Sequence, residues 1–515
     1  MKKVELTRTM EDVISSNNGL SLYLDNLSRG RNMTPHSWLY EREKAEDTLQ
    51  RWIPIMEAAN NKTQFGEEFN SFDLKQVEKF GPQGGIPPID SKEVWEVVEP
   101  LYSPTEYDDP EALKQWWPKA EEFGKKVFEG KVRRMRPLTP EMVVKDMSRR
   151  DTLTTNSGYP RFTRRSKTFQ DEVNDAKTGL AQTYPAIILF RYYYGKLRPV
   201  WMFPMSKNLI EASFALVIQS EIANSPLEWV RQYCTPWLGY EHVKEVLTAQ
   251  WSGGQVDGGD TTKMDAHMRP AQMTLVFHVV KWLFKELYWD DLRQSLLDVC
   301  NIDLLWDRHH LIQGTHGLAS GSSWTQLSET VLQLLMAYCA GVEGQGIGDD
   351  FYWLTDMTAE TLVKYLGEFG LPANEKKQSI SEESLTFLQR LNRKGFFSRE
   401  SDKVLGAYYP TIRALGSMLL PEKFHNPKDW NSDMFCARNF MILENCVDDP
   451  CFDEFCKFVA HGHKDMIPFA KKTRSELDQI QKTARTVPGL FPNYNQEKMD
   501  RPLAEFTSIK LVKSF

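Results

Sequence analysis

Two acids, Asp349 and Asp350, follow Gly348 directly, between the glycine-containing stretch 341–346 and the aromatic run Phe351-Tyr352-Trp353-Leu354. Glycine turns the chain cheaply and aromatic residues favour strands. The pattern therefore predicts an antiparallel hairpin with Asp349 at its tip. A carboxylate so placed constrains the rest of the fold: to do chemistry it must meet acids from another segment in one cleft.

Asp260 and Asp265 supply the second element. Only Thr261-Thr262-Lys263-Met264 separates them, and a helical pattern follows. An Asp at a strand end and another in the next turn would point into one cleft; an Asx turn or helix cap is the plainer alternative. The third element is Ser320-Gly321-Ser322-Ser323-Trp324-Thr325-Gln326, just before a helix expected over 323–340. Its apolar positions are Leu327, Val331, Leu334, Leu335 and Tyr338, and Gly341 can end it. A small loop at a helix N-terminus can offer N–H groups and hydroxyls to phosphate. Ser322 or Ser323 with Gln326 would also make an ordinary capping box.

Acids from separate segments suit phosphoryl transfer to a sugar hydroxyl. That reaction places charge on both the attacking and leaving oxygens. Two divalent ions roughly 3.5–4 Å apart neutralise it, and magnesium prefers carboxylate oxygen.

With 515 residues, more than one core is expected. The formal net charge of -7 argues against a surface that coats nucleic acid everywhere, yet allows a local basic groove. Residues 131–170 hold eleven Lys/Arg against Glu141, Asp146 and Asp151, which reads as a phosphate track or as a solvated face. The 28 Phe, 18 Tyr and 15 Trp could serve both cores and base stacking. Met1-Lys2-Lys3-Val4-Glu5 runs into polar and acidic residues, so no secretory leader is expected. Seven scattered cysteines then fit free thiols in a reducing compartment. Cys446, Cys451, Cys456, His461 and His463 match no common zinc spacing, which favours helical packing over a metal site. No apolar run reaches the roughly 18 residues a membrane span needs.

The first 75 residues read as mostly helical and 81–110 as an irregular Gly/Pro-rich connector. Loops and short strands are expected over 151–210 and a helix over 270–289. After Gly395 the pattern is mainly helical to about 485, and 506–515 reads as a strand or a tail.

The three elements, in their order, resemble the palm motifs of viral RNA-dependent RNA polymerases. Asp260-x4-Asp265 is similar to motif A, Ser320-Gly321-x3-Thr325 to motif B and Gly348-Asp349-Asp350 to motif C. The stretch from Leu366 to Lys377 resembles motif D, and Phe387-Leu388-Gln389-Arg390 resembles motif E. Upstream, Thr155-Asn156-Ser157-Gly158-Tyr159-Pro160 resembles motif G, and Lys196-Leu197-Arg198-Pro199-Val200-Trp201 resembles motif F. The likeness covers about residues 150–395 and is nearest to polymerases of bisegmented double-stranded RNA viruses, the picobirnavirus type first and the partitivirus type beside it.

The resemblance implies an α+β fold, a closed right hand whose palm carries an antiparallel sheet and whose remainder is mostly helical. An N-terminal extension, 1–75, would bridge fingers and thumb. Fingers would be 76–251 and 276–315, palm 252–275 and 316–395, thumb and C-terminal tail 396–515. It also implies roles. Asp260, Asp349 and Asp350 would be catalytic and hold two Mg2+ ions, which Mn2+ could replace. Lys196 and Arg198 would hold the triphosphate and Asp265 would sense the ribose, with Ser320, Gly321, Thr325 and Glu329 in the same nucleotide site. Ser157, Gly158 and Pro160 would guide the template. Lys376 or Lys377 would donate a proton to pyrophosphate; the spacing leaves both open. Glu329 stands where many positive-strand virus polymerases have Asn. While ionised it accepts a hydrogen bond but cannot donate one, which leaves its partnership with Asp265 open. Expected partners are single- and double-stranded RNA, NTPs and a viral capsid protein, with no membrane, inside the virion and in the host cytoplasm. A non-catalytic RNA-binding protein and a reverse transcriptase are the alternatives. The latter usually has an aromatic residue two positions before its Asp pair, where this chain has Ile347.

Overall fold

The structure, a computed structural model, describes residues 1–487, Leu490 and residues 501–515. Strands Glu343–Ile347 and Asp350–Leu354 pair antiparallel with Ile347 opposite Asp350, leaving Gly348 and Asp349 as a two-residue turn. Val256–Gly259 pairs with the far side of Asp350–Leu354, and Ser379–Ser381 completes a four-stranded antiparallel sheet. The weakly apolar stretch from Trp251 to Gln255 lies outside that sheet, and the strand begins at Val256. Its glycines have a steric reason: a Cβ on Gly259 would lie 1.9 Å from the Phe351 ring.

A five-stranded sheet runs in the order Lys2–Glu5, His310–Gln313, Leu304–Leu305, Ala186–Tyr193, Lys196–Met202. Only Ala186–Tyr193 with Leu304–Leu305 is parallel. A three-stranded antiparallel sheet joins Ser384–Phe387, Arg390–Ser398 and Ser401–Tyr408.

The largest apolar core gathers residues from the first 30, from 86–128 and from 186–371. A second core packs Leu39–Ala59 against helices from Thr411–Leu419 to Thr507–Val512. The N-terminal segment thus touches both. Tyr23 donates to the Ile188 carbonyl at 2.7 Å. Farther along, the Trp52 indole donates to Thr411 Oγ1 at 2.9 Å. Buried Asp73 accepts from the Tyr408 hydroxyl, the Thr411 amide and hydroxyl, and the Ile412 amide.

Several sequence expectations need correction. The helix expected over 270–289 ends at Val280, and another begins at Trp289. Between them the backbone pairs with residues 133–135: Arg133 and Met135 amides donate to Trp282 and Leu283, and Lys285 returns a bond to Met135. Tertiary pairing there outweighs helical periodicity. The supposed connector 81–110 contains a helix, Lys92–Tyr102, which buries Val94, Val98 and Tyr102 at i, i+4 and i+8. Residues 151–210 hold the strand pair and also a helix, Phe169–Thr178, and the start of another at Met205. After Gly395 strands persist to Tyr408 before helices take over. The final segment is a helix, Thr507–Val512, rather than a strand. Buried Glu444 accepts from its Thr507 and Ser508 amides at 2.8 and 3.0 Å.

All seven cysteines are free. Cys446, Cys451 and Cys456 are buried in the second core, and among the described residues no three His, Cys, Asp or Glu side chains are gathered as a metal cluster. Much of the basic run 131–170 is already paired: Lys131 with Glu221, Arg149 and Arg150 with Asp146, Arg161 with Glu172 and Asp175. Arg134, Arg136, Arg164 and Lys167 are exposed. Among the described residues no helix is long and apolar enough to cross a membrane.

Candidate active site

The acid-tipped hairpin is held from beneath by the Thr325–Ala340 helix. The Gly348 amide donates to Thr330 Oγ1 at 3.0 Å, and Gln333 Nε2 donates to the Gly348 carbonyl. Both polar groups of the turn glycine are thereby satisfied, and its φ of +60° suits glycine. Asp260 follows the end of its strand, as expected. Gln378 grips its backbone on both sides, accepting from the Asp260 amide at 3.0 Å and donating to the Asp260 carbonyl at 2.8 Å. The Asp265 carbonyl accepts from the Leu318 amide at 2.7 Å, tying this turn to the loop that leads to Ser320.

Asp260, Asp349 and Asp350 come from adjacent strands and act on one another electrostatically. Burial, then the charges of Asp349 and Asp260, push the Asp350 carboxyl up to about 7. Asp349 faces the cleft, yet the protein around it limits hydration and raises its carboxyl. Arg198 opposes that shift and Asp260 adds to it. The three acids are not drawn into a closed cage. The donor set nevertheless suits a divalent cation: hard oxygens, concentrated like charge and restricted hydration are what such an ion relieves.

Glu329 shows why its place can hold an acid. It is buried, and its carboxyl interacts electrostatically with that of Asp265. Burial comes first, and the charges of Asp265 and Asp349 then raise Glu329 well above the ordinary carboxylate range. Asp265 is raised by burial but lowered by Glu329 and by Arg198. Raised further than Asp265, Glu329 is the carboxyl of the two that its surroundings favour in the protonated form. In that form it would have a proton to donate to Asp265, which an ionised Glu lacks.

A cleft of about 530 Å³ opens onto Asp349 and Asp350. Ser320, Gly321, Thr325 and Glu329 line it on one side and Leu388, Gln389 and Arg390 on another. Gly321 sits where a Cβ would meet the Trp201 carbonyl at 2.0 Å, so the loop lies tight against the Lys196–Met202 strand. The Trp201 amide donates to the Ser320 carbonyl at 2.7 Å. Thr325 Oγ1 donates to the Ala319 carbonyl at 3.0 Å. The expected capping box is absent. Trp324 holds the cap position, and Ser322 Oγ accepts from the Trp324 amide and donates to Glu211.

Lys196 and Arg198 are exposed on their strand, and Arg198 reaches both Asp265 and Asp349 electrostatically. Lys376 and Lys377 are exposed on the short turn before Gln378, and nothing in the fold chooses between them. Gly158, at φ +71°, packs against Phe203, and the Pro160 carbonyl lies near Asn17. Ser157 is fully buried and its hydroxyl accepts from the Thr163 amide at 3.2 Å. It shapes the loop from within and presents no group at the surface.

Sequence reasoning missed Thr330, Gln333, Gln378, Glu211 and the strained Leu388-Gln389 turn. In that turn both φ values are positive without glycine, at +49° and +66°. One signal was available. Gln326, Glu329, Thr330 and Gln333 form a polar stripe at helical spacing on a helix otherwise buried among apolar residues.

No family model matches the chain. It is 25% identical over 511 residues to the potential RNA-dependent RNA polymerase of Human picobirnavirus (strain Human/Thailand/Hy005102/-), covering 93% of this chain and 91% of that protein. The fold matches the crystal structure of a human picobirnavirus RNA-dependent RNA polymerase with a TM-score of 0.79, at 20% identity, over 99% of this chain and 100% of that one. The insertion loop deletion mutant of a human picobirnavirus polymerase gives 0.78 and 21%, with the same coverage. The chain is similar to picobirnavirus polymerases and has their α+β fold, as the resemblance of its motifs implied.

Proposed function

We propose that this protein is an RNA-directed RNA polymerase, joining nucleotides from NTPs to an RNA 3′-OH on an RNA template and releasing pyrophosphate. One observation carries the reading. Asp349 and Asp350 line one cleft with the Ser320–Thr325 loop and Glu329, and Asp260, Arg198 and Asp265 lie within electrostatic reach of those acids. The relatives' printed names agree with it.

Asp260 and Asp349 would hold two Mg2+ ions, or Mn2+ in their place, with Asp350 assisting. When bound, such ions stabilise charge on the attacking and leaving oxygens. Lys196 and Arg198 face the triphosphate and offset the charge that develops on pyrophosphate. Asp265, its charge kept by a proton on Glu329, reads the ribose hydroxyls. Ser320, Gly321 and Thr325 line the nucleotide's path. The loop with Gly158 and Pro160, shaped by Ser157, guides the template. Lys376 or Lys377 supplies a proton to the leaving group.

In the same reading, residues 1–75 bridge fingers (76–251, 276–315) and thumb (396–515) around the palm (252–275, 316–395). Part of that last span lies outside the described residues. The reaction serves transcription and replication of a double-stranded RNA genome, inside a virion and in the host cytoplasm, beside a capsid protein.

The test is synthesis by purified protein on single- and double-stranded RNA with magnesium, with and without a primer, comparing NTPs with dNTPs. Template-dependent incorporation of NTPs is expected. RNA binding without incorporation would favour the non-catalytic reading, and a preference for dNTPs would favour reverse transcription.

A further inference from the structure

Glu211 lies far from the acids in sequence, on the Met205–Ala223 helix, and is 4% exposed. A carboxylate so buried must be compensated. Its compensation comes largely from the loop that lines the active cleft: Ser322 Oγ donates to Oε2, and the Ser323 amide donates to Oε1 at 3.2 Å. Asn208 Nδ2 adds a bond to Oε1 at 3.0 Å.

Asn208 carries the connection further. Its Oδ1 accepts from Arg165 Nη2 at 2.9 Å, and Arg165 Nε donates to the Asn156 carbonyl at 3.2 Å. Asn156 Oδ1 in turn accepts from the Gly158 amide at 2.7 Å. One row of polar contacts therefore runs from the loop at 156–160 to the loop at 320–323. It passes through two side chains and the Glu211 carboxylate.

Resting on the polymerase reading above, we propose that Glu211 is a positioning residue: it sets the 320–323 loop for nucleotide selection and couples that loop, through Asn208 and Arg165, to the template-guiding loop at 156–160. An acid is required because three donors converge on its two oxygens. Glutamine would aim an NH2 group at one of them and leave a buried donor unmet.

The surroundings also make the contact sensitive to pH. Burial pushes Glu211 up to about 7, against the bonds from Ser322, Ser323 and Asn208 and the charge of Lys207. Lys207 lies on the same helix and pairs with Asp298 at 3.6 Å. Arg165 stands behind Asn208. Once protonated, the carboxyl loses acceptor capacity and loosens its hold on the loop.

The experiment compares wild type with Glu211→Gln, Ser322→Ala and Asn208→Ala for single-nucleotide addition, over pH 6 to about 9. For Glu211→Gln the NTP KM should rise about tenfold, with a similar loss of NTP over dNTP preference, as for one charge-assisted hydrogen bond. The rise in the wild-type NTP KM as pH falls through about 7 should disappear. Ser322→Ala, which leaves the acid in place, should reproduce the KM and selectivity changes even if Glu211→Gln fails to fold. Asn208→Ala should raise the KM for template and for NTP together. Unchanged KM, selectivity and pH profile in folded Glu211→Gln, or a fall in kcat alone, would overturn the assignment, as would a Ser322→Ala variant that behaves as wild type. An inactive wild-type protein would instead overturn the polymerase reading itself.

Discussion

Asp349 and Glu329 are both acids in one cleft, and their surroundings give them opposite work. Asp349 faces the cleft and should stay available to cations. Asp349→Ala should cut nucleotide addition by about 10³-fold or more while the melting temperature holds, because a charge-stabilising group is lost without a core contact. Retained synthesis would remove Asp349 from the mechanism. Glu329 is kept protonated by burial and by its acidic neighbours, Asp265 foremost. Glu329→Gln, which resembles the protonated acid, should keep the preference for NTP over dNTP within about threefold, whereas Glu329→Ala should lose about tenfold of it. The sign of the pH effect follows. As pH rises through the raised Glu329 pKa, both carboxyls ionise and repel, so wild-type preference falls while that of Glu329→Gln stays flat. A wild-type preference independent of pH would count against a protonated Glu329. The acids themselves were legible because metal chemistry calls for bare Asp at turns. The protonation of Glu329 was not, since it depends on burial created by residues far away in the chain.

At the scale of elements, the hairpin is only as well placed as the helix beneath it. Thr330 Oγ1 accepts from the Gly348 amide and donates to the Gln326 carbonyl at 2.7 Å. Thr330→Val keeps the shape and removes both bonds, leaving a buried amide without an acceptor, at a cost of about 1–3 kcal/mol. We expect a lower melting temperature together with a fall in nucleotide addition of more than about tenfold, because small displacements of reacting groups are costly. A variant that loses stability but keeps its rate would show that the clamp does not set the geometry. The hairpin and its helix were readable from glycine, aromatic and apolar spacing. The helix at Lys92–Tyr102 was obscured by flanking Gly and Pro, although Val94, Val98 and Tyr102 carried its period. The break at Val280 was not readable in principle, because the chain leaves the helix there to pair with residues 133–135.

Across the whole molecule, the cleft depends on how separate parts are joined, and one joint is ionic. Lys244, on the helix Tyr240–Gln250, meets Asp448 at 2.8 Å with both side chains buried. Asp448 also accepts from Ser398 Oγ and from the Arg399 and Ala407 amides at 3.0 to 3.1 Å, binding in the three-stranded sheet. Burial alone would raise the Asp448 carboxyl. The Lys244 charge and these bonds overcome it and hold the group below the ordinary range. A carboxyl depressed in the folded state contributes stability above its unfolded pKa, about 4, and loses it as pH falls through the lower folded value. Asp448→Asn should therefore lower stability at neutral pH by about 2 kcal/mol, because it removes the buried partner of the Lys244 ammonium and leaves it only the half-exposed Glu241 at 2.7 Å. It should also flatten the acid side of the curve of melting temperature against pH. Parallel wild-type and variant curves down to about pH 2 would mean that the pair contributes no pH-linked stability.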